Sequence, residues 1–213
     1  MNLTLMRGMT RSVHGQRRAK GMDALGHGQQ GPDKKRCEVV LAGSGGQGLI
    51  VAAMLLGEGA IREGKNVVET QSYGIAARGG LSTAELIIDT EEIVFQQVQK
   101  PDVILALTEN AMERFALFAE KGALVFFDTT CLADREGTNF WGFPFMKLAS
   151  GLNRPGSANL IALGAMVART GMIRMDSLIP VINETFPQSA TANVEALRLG
   201  ESLVASRYRE HPG

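Results

Sequence analysis

An α/β fold, with a mostly parallel sheet flanked by helices and a C-terminal helical layer, is what this sequence predicts, on three observations. Short apolar runs alternate with helix-length segments, the pattern of strands buried on both faces. The first such run ends in a glycine cluster that leads directly into helical spacing. The later part of the chain carries helical but no strand periodicity, and 213 residues at 45% hydrophobic content can bury one full core.

The elements follow in order. Residues 1–36 are rich in Gly, Gln, Arg and His and lack either periodicity, so a flexible tail is expected there. Its charge comes from Arg7, Arg11, Arg17, Arg18, Lys20, Lys34, Lys35 and Arg36 against Asp23 and Asp33. Such a tail reads as a basic arm for a partner, as a transit-like extension, or as an over-long start with Met22 as the real beginning. A single domain is expected over 37–206.

Within it, residues 38–42 form a buried strand that runs into the cluster Gly43-Ser44-Gly45-Gly46-Gln47-Gly48. A helix over 49–63 follows from Val51, Ala52, Leu55, Leu56 and Gly59 at helical spacing, with Gly64 placed for a left-handed cap. Gly57 and Gly59 on that helix suggest a close neighbour. Further strands are predicted at 67–70, 82–89, 103–107 and 123–127, with a helix at 109–120. Helices at 158–170, 176–186, with Pro180 in its first turn, and 189–204 complete a layer against the sheet or a partner chain.

Equal numbers of Lys plus Arg and Asp plus Glu, 22 each, give no support for a nucleic-acid surface. Neither a secretory apolar run nor a membrane-length apolar stretch is present, so a soluble, cytoplasmic chain is expected. The two cysteines, Cys37 and Cys131, are far apart and lack neighbours at metal-ligand spacing, so no metal site is expected on this chain.

Two motifs carry chemistry. Gly43, Gly45 and Gly48 spell G-x-G-x-x-G between a strand and a helix, where backbone N–H groups can approach a phosphate at a helix's positive end. Glu69, at the end of the second strand, suits a ribose-binding acid. The extra Gly46 and the Gln47 before the last glycine differ from a nicotinamide loop, so three readings stay open: a nucleotide, a structural turn, or another anionic or polar ligand. The second motif joins the second and third strands. In it Gly79 and Gly80 permit a nest of N–H groups, Arg78 offers a forked donor, and Tyr73 and Ser82 add hydroxyls. A hairpin-like turn with a surface Arg is the plainer reading.

Together, Gly43 to Gly48, the helix after it, Gln71-Ser72-Tyr73-Gly74, Ala77-Arg78-Gly79-Gly80 and Ser82 resemble the gamma subunit of the 2-oxoacid:ferredoxin oxidoreductases. The resemblance runs from Glu38 to Leu203. It includes Lys100-Pro101-Asp102, Ala158-Asn159, Leu163-Gly164-Ala165, Asn193, Ala196 and Gly200, and the Gln-Ser-Tyr-Gly spelling is closest to the 2-oxoglutarate branch.

The resemblance implies a Rossmann-like domain in a complex that converts a 2-oxoacid and coenzyme A into an acyl-CoA and carbon dioxide, with two electrons passing to ferredoxin or a similar acceptor. It implies no catalytic residue on this chain and no activity without partners. Thiamine diphosphate, Mg2+ and iron–sulfur clusters are then expected on other subunits: a thiamine-diphosphate-binding beta, a 2-oxoacid-binding alpha and a ferredoxin-like delta as a further candidate. This chain would form an active-site or coenzyme A wall through Gly43, Gly45, Gly46, Gln47, Gly48, Tyr73, Arg78, Gly79, Gly80 and Ser82. Arg78 would bind an anionic group or anchor a neighbouring subunit. A stand-alone NAD(P)-binding oxidoreductase and a non-catalytic assembly scaffold are the alternatives.

Overall fold

The computed structural model describes residues 2–6, 35–72, 80–133 and 135–210. Its centre is a seven-stranded sheet, in which β1 (Asn2–Met6), β2 (Arg36–Ser44), β3 (Asn66–Ser72), β4 (Leu81–Asp89), β5 (Val103–Ala106), β6 (Leu124–Asp128) and β7 (Phe140–Phe143) lie in the order β1-β3-β4-β2-β5-β6-β7. The pairs β2/β5, β5/β6 and β6/β7 are parallel, whereas β2/β4, β3/β4 and β1/β3 are antiparallel.

The expectation of a mostly parallel sheet is therefore corrected to a mixed one. The reason lies between β3 and β4: residues 73–80 are too few for a parallel crossover, which takes about a dozen residues or more. The chain returns antiparallel instead, and β4 inserts between β3 and β2.

Among the described residues six α-helices cover the sheet: α1 (Leu49–Arg62), α2 (Glu109–Phe115), α3 (Phe145–Gly151), α4 (Ala158–Thr170), α5 (Met175–Thr185) and α6 (Ala190–Glu210). Gly64 caps α1 as the spacing predicted, at φ 77°, with Gly64 N–H donating to Ile61 O and Lys65 N–H to Ala60 O. The predicted helix at 109–120 divides into α2 and a 3-10 turn, Ala116–Lys121, closed by Gly122 at φ 95°.

On one face α1 and α3 to α6 bury Val39, Leu41, Leu86, Leu105 and Phe126. On the other, Met112, Phe115 and Ala119 of α2 and its 3-10 turn cover Val40, Ile104, Ala106, Val125 and Phe127. Each fully buried large side chain contributes about 1.5–3 kcal/mol relative to exposure. Of the two glycines expected to mark close packing, Gly59 does so, since a Cβ there would lie 2.8 Å from Ile173 Cδ1, whereas one on Gly57 would make an ordinary contact at 3.4 Å from Val67 Cγ1.

Three features depart from the sequence reading. The later chain keeps one more strand, β7, whose Gly142 is required because a Cβ there would sit 2.6 Å from the Phe127 ring and 2.7 Å from Thr129 Cγ2. It also adds α3. At the other end, Asn2–Met6 pairs with β3, where the composition suggested only a tail; residues 7–34 of that tail lie outside the described residues.

In the helical layer, α4 and α6 run in the same direction: Asn159 and Asn193 near their starts line one cleft, and Arg169 near the end of α4 lies 5.9 Å from the Tyr208 ring near the end of α6. Gly164 and Gly200 let the two backbones touch. A Cβ on Gly164 would lie 2.9 Å from Leu197 C, and one on Gly200 2.8 Å from Ala165 N.

Candidate functional site

The helix after β2 packs on one face of the sheet and the helix after β5 on the other, although β2 and β5 are neighbours. A crevice must therefore open outside the carboxyl ends of these two strands, the topological switch point at which open α/β sheets bind ligands. The glycine loop stands at that point.

Its shape is set by two amide side chains. Gln47 folds back so that Oε1 accepts from Ser44 N–H at 2.7 Å, while Nε2 donates to Leu107 O, just beyond β5, at 3.4 Å. The amide fills the space that a Cβ on Gly43 would need. From the other side Asn159, 5% exposed at the start of α4, donates from Nδ2 to Gly48 O at 3.0 Å and accepts from Leu160 N–H at 2.9 Å. Gly48 has φ 72°, and a Cβ on it would strike the Asn159 amide. Gly45 and Gly46 are exposed with nothing near their missing side chains, and Gly46 is also left-handed at φ 86°.

The electrostatics favour an anion. The N-terminus of α1 has no side-chain cap and no acid in its first turn, and the same holds for α4. Uncapped first-turn N–H groups carry the positive end of the helix dipole. The starts of α1, α4 and α6 share an open cleft of about 400 Å³ lined by Gly48, Val51, Ser157, Asn159, Asn193 and Arg154. Arg154 is balanced by Glu195 at 3.7 Å.

The second motif reaches the same end of the sheet through strand register. Leu81 pairs with Ser44, and Ser82 with Gly43, so β4 begins beside the glycine loop, whereas Ser72, which pairs with Thr83, lies one strand further out at the same end of the sheet. Ser82 is buried, 6% exposed, so it supports the wall from within. Gly80 directly precedes β4 and is partly exposed. Tyr73, Arg78 and Gly79 lie outside the described residues.

Glu69 is not brought to the loop. It pairs with Leu86, which pairs with Val39, so it lies two strands away and level with a residue four positions before Gly43. At strand spacings of about 4.8 Å across and 3.3 Å along, that is roughly 16 Å. Its carboxylate accepts from Gln71 Nε2 at 2.8 Å, and burial raises its pKa. A ribose-binding acid beside the loop is thus missing at the position the nicotinamide reading required.

Sequence reasoning passed over two neighbours of the site. Asn159 was visible only as part of a resemblance, because its partner, Gly48, is 111 positions away. Cys131 is an exposed thiol with Sγ 3.8 Å from Leu107 O, the carbonyl that Gln47 also uses, and burial followed by the charge of Asp128 raises its pKa. Among the described residues no group of three or more His, Cys, Asp or Glu is placed to hold a metal, and no helix is long and apolar enough to cross a membrane.

Residues 38–203 match a family model described as pyruvate ferredoxin/flavodoxin oxidoreductase. The 2-oxoglutarate synthase subunit KorC of Archaeoglobus fulgidus is 35% identical over 167 residues, which cover 78% of this chain and 87% of that protein. Among solved structures, the gamma subunit of a keto/oxoacid ferredoxin oxidoreductase from Geobacter sulfurreducens superposes with a TM-score of 0.69 at 30% identity, covering 80% of this chain and 99% of that one. The fold also matches, with a TM-score of 0.72 at 22% identity, part of a 2-oxoglutarate:ferredoxin oxidoreductase from Magnetococcus marinus described with 2-oxoglutarate, coenzyme A and succinyl-CoA bound; 82% of this chain corresponds to 32% of that longer one.

Proposed function

The chain belongs to the pyruvate ferredoxin/flavodoxin oxidoreductase family, and from that premise we propose that it is the gamma subunit of a 2-oxoglutarate:ferredoxin oxidoreductase and binds an anionic part of coenzyme A at its glycine loop. In the overall reaction 2-oxoglutarate loses carbon dioxide, two electrons pass to the acceptor, and the succinyl group joins the coenzyme A sulfur as the thiol proton is released. Thiamine diphosphate with Mg2+ and iron–sulfur clusters supply the decarboxylation and the electron path when bound on partner chains. Among the described residues, Cys37 near the start of β2 and Cys131 after β6 lie at opposite ends of the sheet, and no group of three or more His, Cys, Asp or Glu is placed to hold a metal.

This chain's residues bind and orient. The observation that carries the reading is the exposed Gly45–Gly46 turn at the switch point, held by Gln47 and Asn159 and followed by an uncapped helix start with no acid in its first turn. N–H groups fixed before the ligand arrives lose little freedom on binding, so they hold a phosphate more tightly than a mobile loop would. Arg78, Gly79 and Gly80, on the segment that leads into β4 beside the loop, supply a second donor set.

The test is to tag the chain in its native host and purify it anaerobically at low salt. Mass spectrometry should find a thiamine-binding chain and a 2-oxoacid-binding chain, and the eluate should reduce a viologen dye with 2-oxoglutarate only when coenzyme A is added. In that complex Arg78→Ala should lower turnover without releasing the subunit. Recovery of a homo-oligomer that binds NAD would refute the proposal.

A further inference from the structure

Far from the glycine loop, at the β7 edge of the sheet, one group of side chains is left without the counter-charge found elsewhere in the helical layer. Arg62 faces Glu184, Arg154 faces Glu195, Arg174 faces Glu63, and Arg198 faces Asp176 and Glu201. Arg169 and Arg207, by contrast, have no carboxylate within ion-pair distance among the described residues. Both lie over the Trp141 ring instead, at 4.8 and 4.5 Å from its centroid, and the Tyr208 ring packs against the same ring at 5.7 Å, tilted by 55°. Arg207 donates one hydrogen bond, from Nη2 to Phe140 O at 3.0 Å.

The same place holds the two buried side-chain polar atoms that lack a partner among the described residues, Trp141 Nε1 and Arg169 Nε. Both are donors, and Trp141 is only 6% exposed. Stacking on an aromatic face stabilises a guanidinium but supplies no acceptor in its plane. The two buried donors are covered by this chain's own atoms, but Arg169 and Arg207 are only partly buried, and their remaining guanidinium N–H groups, without a carboxylate, suit a group that brings acceptors and negative charge.

We propose that Trp141, Arg169 and Arg207 form a docking point for an acidic segment of a partner subunit, with a Glu or Asp carboxylate engaging the guanidinium forks. Arg, Trp and Tyr are the residues that dominate the energetics of protein interfaces, and Tyr208, half exposed beside the pair, offers the adjoining aromatic surface. A carboxylate from a partner supplies the counter-charge that Arg62, Arg154, Arg174 and Arg198 find within the chain. The inference rests on the reading of the chain as a subunit, and it concerns a surface separate from the glycine loop.

The experiment compares tagged wild-type chain with R169Q/R207Q, R169E/R207E and W141F, each expressed with the whole complex and purified over a salt series. W141F keeps the ring and removes the Nε1 donor. The expected result is at least tenfold weaker partner recovery for R169E/R207E, a smaller loss for R169Q/R207Q and W141F, and loss at lower salt than wild type, with thermal midpoints of the variant chains within a few degrees of the parent. A wild-type complex that survives all three changes at every salt overturns the docking point alone, whereas a wild-type chain that recovers no partner overturns the subunit reading and the docking point with it. Added inorganic phosphate that raises the thermal midpoint of wild type but not of R169Q/R207Q, with assembly unchanged, overturns the proposal in favour of a small anion.

Discussion

Replacing Gly200 by alanine places one methyl group where α4 and α6 come closest. The new Cβ would lie 2.8 Å from Ala165 N and 2.9 Å from Ile161 C, and nearer still to Ile161 O. Carbon contacts are comfortable at about 3.5–4.0 Å, so the two helices must separate by roughly 1 Å. Backbone atoms on both sides cannot swing aside as a side-chain end can, which puts the cost near the upper part of the 1–3 kcal/mol typical of overpacking. Alanine's better helix propensity returns about 1 kcal/mol. The net is about 2 kcal/mol, or roughly 4–8 °C in Tm for a chain of this length.

Gly164→Ala makes the same demand from the other helix, with its Cβ 2.9 Å from Leu197 C. One separation accommodates both methyl groups, so the double variant should lose clearly less than the sum of the singles. Gly151→Ala in α3, where a Cβ meets nothing within 4 Å, is the control and should be neutral or mildly stabilising. Urea and thermal unfolding of the four variants checks this. A Gly200→Ala chain as stable as the parent, or a double variant equal to the sum, would refute the argument from backbone contact.

Asn159→Ala should free one side of the glycine loop: hydrogen exchange at Gly45 to Gly48 should quicken, and in the assembled complex the KM for coenzyme A should rise several-fold with kcat within about twofold. The pH dependence has two opposed parts. Burial alone would raise the Glu38 pKa, but N–H donation from Lys100 and Gln99 and the Arg36 guanidinium outweigh it and hold the carboxyl below its usual range. Its contribution is therefore complete above the unfolded carboxylate pKa and disappears as pH falls through the folded value, so Glu38→Gln should flatten the acid limb of a Tm-against-pH curve. Burial raises the Glu85 pKa, only partly countered by Arg114. That contribution is complete below the unfolded pKa and is lost as pH rises through the folded value, so Glu85→Gln should stabilise the chain at neutral pH and change little below the carboxylate range.

Buried strands were legible because their residues are apolar without interruption, as in Val39 to Ala42 and Val103 to Ala106, and the glycine cap of α1 was legible because a left-handed residue names itself. Strand direction was not. A strand buried on both faces reads the same in either direction, and only the length of the 73–80 connection distinguishes β4 as antiparallel. The four residues of β7 are too few for a period, and Gly142 within them speaks against a strand until Phe127 is seen behind it. At the site, sequence located the loop correctly between strand and helix, but the amide of Asn159 and the register that brings Ser82 beside Gly43 are tertiary facts that no local window contains.

The amide of Gln47 has a consequence for how such a fingerprint is inherited. Gly43 and Gly48 are held as glycine by neighbours inside the protein, Gln47 and Asn159, while only Gly45 and Gly46 stand open to a visitor. The outer two letters of the motif thus record an internal fit. A lineage that shortens residue 47 gives position 43 more room to acquire a side chain, so these two sites should vary as a pair, whereas position 46 is also held by its left-handed backbone and position 45 should answer to the ligand.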